Sequence, residues 1–174
     1  MKLRACLVLT ALTFGLVSWL PAAEEPADAA ERLDALFEEE WETRLREFPL
    51  TATAAGVHEY DDRLGSMAPE ALERRHEIWK SLLDRLEAID PEGLDEEDRI
   101  SRAMMERILQ DRIAEYRFGG HQIPLTADSG FHTAFARLPA EMPFRTTEQY
   151  ENYLSRLREF PRWVGEHVEL MRTG

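Results

Sequence analysis

The five histidines are the side chains best suited to proton transfer or metal ligation near neutral pH. A zinc hydrolase helix needs two of them four residues apart, so that both imidazoles reach one metal, with a glutamate between to activate water. His76-Glu77-Ile78-Trp79-Lys80 supplies the first half of that pattern and places a lysine at the second ligand position. A cationic amine repels a metal ion, and the stretch reads as a surface turn of a helix. His58-Glu59 and His167-x-Glu169 are likewise fragments of the motif. Asp61-Asp62 after His58 would make an oxygen-rich site, yet such a pair more commonly builds a turn or cap. Ser129-Gly130 lacks the strand-to-helix elbow that exposes a nucleophilic serine. No Gly-rich phosphate loop and no dinucleotide fingerprint occurs. These patterns assign no catalytic and no metal-binding residue. His121 and His132 stand apart because both lie in a long apolar segment. They are the candidate cleft-lining residues, either touching substrate or hydrogen-bonding locally within their loop.

The elements that must position these residues are helical. Leu33, Phe37, Trp41 and Leu45 recur every fourth residue, with Leu36 and Phe48 widening the stripe, and predict a helix from about Ala29 to Glu47. Phe48-Pro49 ends it, since a residue before proline is pushed out of the α region. Residues 49–67 read as a connection with little periodicity. Ser66 and Pro69 open a second helix with Leu72, Trp79, Leu82, Leu83, Leu86 and Ile89 on one face, stopped at Asp90-Pro91-Glu92-Gly93. Asp95 opens a third, whose apolar stripe is Ile100, Ala103, Met104, Ile108, Leu109 and Ile113, and Gly119-Gly120 closes it. Residues 120–145 read as one long irregular loop, unusual in a compact domain and apolar enough to be packed against something. Thr146-x-x-Gln149 is a capping box for a fourth helix. Pro161 restarts or kinks that helix, and Val164, Val168 and Met171 continue an apolar face in search of a neighbour. Trp41, Trp79 and Trp163 fall on or beside apolar stripes and read as core. The fold class is all-α, bundle-like, with that single long apolar loop.

Composition narrows the setting. The chain has 174 residues, with 21 basic against 34 acidic side chains and a net charge of −13. Lys2 and Arg4, the uncharged run from Ala5 to Leu20 and the small residues Ala22 and Ala23 have the layout of a secretory signal peptide over residues 1–23. An uncleaved anchor is the alternative. Residues 24–30 read as a flexible tether and 31–174 as the helical domain. Removing residues 1–23 deletes two bases and no acid, which takes the net charge to −15. Such a balance repels nucleic acid and anionic membrane, so neither is expected as a partner. No membrane span is expected once the signal is removed. The only cysteine, Cys6, lies within the signal, so the exported part must be held by its core without disulfides.

Two blocks carry a wider resemblance. Pro49, Ala52, Thr53, Gly56 and Tyr60-Asp61 mark the first, within residues 49–64. Leu125, the Tyr150 to Leu157 helix, Pro161 and Met171-Arg172-x-Gly174 mark the second. Together they resemble the N-terminal part of the domain-of-unknown-function family DUF885, exported bacterial helical proteins whose full-length members look like HExxH zinc peptidases. The resemblance implies a mostly helical protein, an exported location and a peptide substrate. It also implies a zinc ion held by an HExxH helix and a downstream acid in a C-terminal region. That region would be the partner of this chain. None of those ligand positions exists in this sequence, so no catalytic or metal residue carries over, and the chain alone is expected to be inactive. A freestanding helical binding module is the other reading.

Overall fold

The structure is a computed structural model and describes residues 28–174; the signal-peptide reading and most of the tether lie outside those residues. Six α-helices follow one another: α1 (Ala29–Glu47), α2 (Pro49–Ala54), α3 (Pro69–Glu87), α4 (Glu96–Arg117), α5 (Phe131–Glu141) and α6 (Thr147–Thr173). Short 3-10 turns at Pro91–Gly93 and Gly120–Gln122 join them. Among the described residues there is no strand, and the all-α class holds.

Local sequence sets the helix ends. The Asp28 carboxylate accepts from the Glu31 N–H at 2.8 Å, and Asp95 accepts from Asp98 at 2.9 Å, which satisfies amides that a helix start leaves unpaired. Pro49 stops α1 and, already fixed near a helical φ, serves as the first residue of α2. Thr146 accepts from the Gln149 N–H at 3.3 Å while the Gln149 side chain accepts from the Thr146 N–H at 3.1 Å, completing the expected capping box.

Two clusters share the interior. The larger joins α1, α3 and α4 through Leu33, Leu36, Trp79, Leu82, Leu86, Ile89, Leu94, Met105 and Leu109. Each fully buried aliphatic side chain contributes roughly 1.5–3 kcal/mol. The smaller places α5 and α2 beside α6. There Phe131 stacks on His167 at 4.2 Å, Phe135 stacks on Phe160 at 4.1 Å, and Leu138 is fully buried.

Four expectations need correction. Residues 120–145 are not irregular throughout, because 131–141 form α5. Phe131, Phe135, Leu138 and Met142 are spaced four, three and four apart, a helical period that the surrounding Gly and Pro residues obscure. The Thr133 hydroxyl accepts from the Gly130 N–H at 3.2 Å and anchors that helix start, and Pro139, lacking an N–H, brings it to an early end. In the same way, residues 49–54 are helical and not simply a connection. The stripe assigned to α4 is largely turned outward. Ile100, Met104 and Ile108 are 56, 62 and 44 % exposed, whereas Met105 and Leu109 enter the core. Finally, α6 is a single helix from Thr147 to Thr173 with Pro161 inside it, so the chain does not restart a helix there. Val164, Val168 and Met171 on its last turns are half-buried.

A buried polar network ties the two clusters' connection to α6. Arg156 is fully buried, and its guanidinium donates to the carbonyls of Arg63 at 2.9 Å, Pro49 at 3.1 Å and Tyr60 at 3.1 Å. It also donates to the Thr53 hydroxyl at 2.8 Å and lies 3.5 Å from the Asp61 carboxylate. Thr53 Oγ1 is 2.5 Å from Asp61 Oδ1, and His58 Nδ1 is 2.9 Å from Asp61 Oδ2. His58 and Asp61 therefore belong to a structural clasp that folds residues 49–63 around one arginine.

Candidate functional site

The site with the most chemical character is a cavity of about 260 Å³ walled by α1, α2, α3, α4 and the Gly120–Gln122 turn. One face of α3 supplies Leu72, Arg75, His76 and Trp79, spaced three, one and three residues apart. One face of α4 supplies Arg112, Glu115 and Tyr116 with the same helical spacing. Arg44 reaches in from α1, Phe48 and Thr51 from the start of α2, and Met67 from the loop before α3.

His121 reaches the cavity because the chain reverses immediately after α4. Gly119 has φ 69°, the left-handed region in which a side chain is strained. At Gly120 a Cβ would stand 2.8 Å from Glu115 Cγ. This tight turn lays His121 against Tyr116, with ring centroids 5.3 Å apart, and His76 stacks on Tyr116 at 4.3 Å. His76, Tyr116 and His121 form a continuous stack along one wall.

His76 is therefore not a solvated surface position. Its Nδ1 is buried without a hydrogen-bond partner, as are His121 Nδ1 and Arg44 Nε. Glu77 and Lys80 do lie on the surface, paired with each other at 3.0 Å. His132 is exposed, lies edge-on to Phe131 at 5.9 Å and does not line this cavity. The two candidate histidines are thus not brought together. His167 is buried in the smaller cluster, with Nδ1 2.8 Å from the Trp163 carbonyl. Ser129 sits in a tight turn with Thr126, their hydroxyls 2.7 Å apart, and no imidazole is bonded to it.

The cavity is basic in a chain that is otherwise acidic. Arg75 is 5 % exposed; burial pulls its pKa down and Glu47 opposes that, but a guanidinium stays charged throughout the physiological range. Arg44 and Arg112 share the single carboxylate of Glu40, at 3.4 and 2.8 Å, and Arg112 also lies 4.6 Å from the centre of the Trp79 ring. Burial pushes the His121 pKa below its ordinary 6.5, with Glu115 opposing and Arg75 reinforcing the shift, so His121 is neutral at pH 7. Such an arrangement can hold an anion and can stack a flat apolar group. It offers no nucleophile with an adjacent base.

A zinc ion does not fit these residues. Among the described residues no group of three or more His, Cys, Asp or Glu side chains converges as a metal site requires, and the cavity's own wall is cationic. Among the described residues, too, no helix is long and apolar enough to cross a membrane.

An all-α domain with a basic, aromatic cavity is the class of protein these observations define. The family "Bacterial protein of unknown function (DUF885)" matches residues 49–174, and the chain belongs to that family. No curated protein and no solved structure matches the chain. The matched residues include the whole Arg156 clasp and every cavity wall except Arg44 and Phe48, which precede Pro49. The resemblance of residues 49–64 thus falls on structural positions: Ala52, Thr53 and Asp61 are at most 3 % exposed.

The cavity escapes sequence reasoning because its walls come from segments up to 77 residues apart, Arg44 to His121. One signal was available. Arg75 falls on the buried face of α3, between Leu72 and Trp79, where a charged side chain is out of place.

Proposed function

We propose that this chain is the N-terminal, non-catalytic part of an exported DUF885 protein with peptidase activity, forming one wall of its substrate cleft. The observation that carries this reading is the outward apolar ridge of α4. Ile100, Ala103, Met104 and Ile108 lie together on the surface and line two shallow apolar depressions there, and Tyr150, Leu154 and Leu157 form a second exposed apolar stripe on α6. Exposed patches of this kind mark interfaces. The occupant proposed is the C-terminal region of the same family protein. The zinc expected of a full-length member would belong to that region, since no ligand set here fits it. Export rests on the signal-like layout of residues 1–23.

The test is the reading frame beyond the codon for Gly174. An open frame encoding an HExxH helix supports this assignment. A stop codon at that point overturns it and leaves the second reading, a freestanding helical binding module, which the Arg75 cavity independently favours.

A further inference from the structure

We propose that the cavity between α1, α3, α4 and the Gly120–Gln122 turn binds a small molecule with one carboxylate and an apolar or aromatic body, the carboxylate being taken by Arg75. This holds whether or not the chain is part of a peptidase.

Arg75 is the residue that would take the carboxylate. Its guanidinium is nearly inaccessible to water, yet its only hydrogen bond is to the Met67 thioether sulfur at 3.6 Å, a weak acceptor. Its nearest carboxylate, Glu47, stands 4.0 Å away and is already bonded to Arg74 at 2.8 Å. The guanidinium also lies 5.0 Å from the centre of the Phe48 ring, but neither that face nor the distant Glu47 supplies the acceptor-only, bidentate partner that a buried arginine ordinarily has. A carboxylate has that geometry. Three orphaned buried atoms, Arg44 Nε, His76 Nδ1 and His121 Nδ1, belong to residues that line the same cavity. Two more such atoms, Arg102 Nε and Arg156 Nη1, lie outside the cavity, so the cavity lining holds three of the five orphaned buried atoms among the described residues.

The rest of the lining selects the body of the ligand. Phe48, Leu72, Trp79 and Tyr116 make an apolar and aromatic surface, and the volume of about 260 Å³ suits a small molecule. The charged groups facing Arg75 and the cavity are Glu40, Arg44 and Glu47 from α1 and Arg74 from α3, with Arg112 and Glu115 from α4 and Glu166 from α6. Glu40 and Glu47 are engaged with arginines, whereas Glu115 is exposed at the rim. A carboxylate at the rim repels a second negative charge, so a monoanion is favoured over a dianion such as phosphate.

The experiment is calorimetric titration of the purified chain with N-acetyl-phenylalanine, its primary amide and inorganic phosphate. The acid is expected to bind one to one, and the amide and phosphate at least roughly tenfold more weakly, as for loss of one charge-assisted contact. Arg75→Met should abolish binding with helix content retained, while Arg85→Met, which removes an exposed pair with Glu39, should leave it unchanged. Equal affinity for acid and amide, or binding that survives Arg75→Met, would overturn the proposal. If Arg75→Met does not fold, the imidazole resonances of the intact chain decide. Shifts of His76 and His121 with the acid but not the amide support the site, and no shift refutes it. A free-acid tripeptide ending in phenylalanine separates two sources of the same chemistry. Tighter binding than the single residue identifies a peptide C-terminus, and exclusion identifies a free small acid.

Discussion

Replacing Arg156 by methionine should be among the most damaging single changes in this chain. The substitution keeps length and apolar volume but removes every donor of a fully buried guanidinium. The carbonyls of Pro49, Tyr60 and Arg63 lose a partner, and Asp61, 1 % exposed, keeps only Thr53 and His58. Stranding one charge of a buried pair costs about 3–5 kcal/mol. Set against a typical domain stability of roughly 5–15 kcal/mol, that is a large fraction. With a urea slope of about 1.5–2 kcal/mol per molar, the unfolding midpoint should fall by roughly 1.5–3 M. Combining Arg156→Met with Asp61→Asn should recover part of the loss, because the stranded carboxylate is gone and the two sites are coupled. Urea unfolding followed by circular dichroism reads both values. A loss below about 1 kcal/mol for Arg156→Met, or strict additivity in the double variant, would refute the claim that this clasp holds residues 49–63 to α6.

Acid should weaken the fold in a defined window. Burial holds His121 and His167 below the ordinary 6.5, so the unfolded chain binds protons more readily than the folded one. Their contribution to stability is complete above about pH 6.5 and falls as pH drops through the lower folded values; His167→Gln should flatten that part of a stability-versus-pH curve. Gly119→Ala should cost about 1–2 kcal/mol in urea unfolding, because φ 69° strains an L side chain, and should perturb the His121 resonance in the same sample. Zinc titrated calorimetrically into the chain should bind no better than weakly; submicromolar, stoichiometric binding abolished by changing His76 would overturn the reading of His76-Glu77-x-x-Lys80.

Local rules made much of the fold legible. The bounds of α1, the caps at Asp95 and Thr146, and the core roles of Trp79 and Trp163 follow from proline chemistry, side-chain capping and four-residue periodicity. Two departures have different causes. In α5 the helical period was present but flanked by Gly130 and interrupted by Pro139, so local breakers concealed a helix that packing against Phe160, Trp163 and His167 stabilises. In α4 the apolar stripe is real, yet periodicity alone does not say which of two adjacent faces turns inward. The core takes Met105 and Leu109 while Met104 and Ile108 face out. His121 was singled out because it lies in an apolar segment, and it does line a cavity; His132, chosen on the same ground, does not. The surroundings of His76 and Arg75 are not legible locally because their neighbours, Tyr116 on α4 and Phe48 at the α1–α2 junction, are distant in sequence.

We propose that the α4 ridge is an interface for the C-terminal region of a family protein. Fluorescence of a dye for exposed apolar surface, measured on the monomeric chain, tests it most directly. The account predicts strong dye binding that falls when Met104 and Ile108 are changed to serine, with thermal stability held within about 0.5 kcal/mol, as for surface positions. A monomer that binds no dye, or serine variants destabilised by more than about 2 kcal/mol, would show that this face is already covered and would contradict the account.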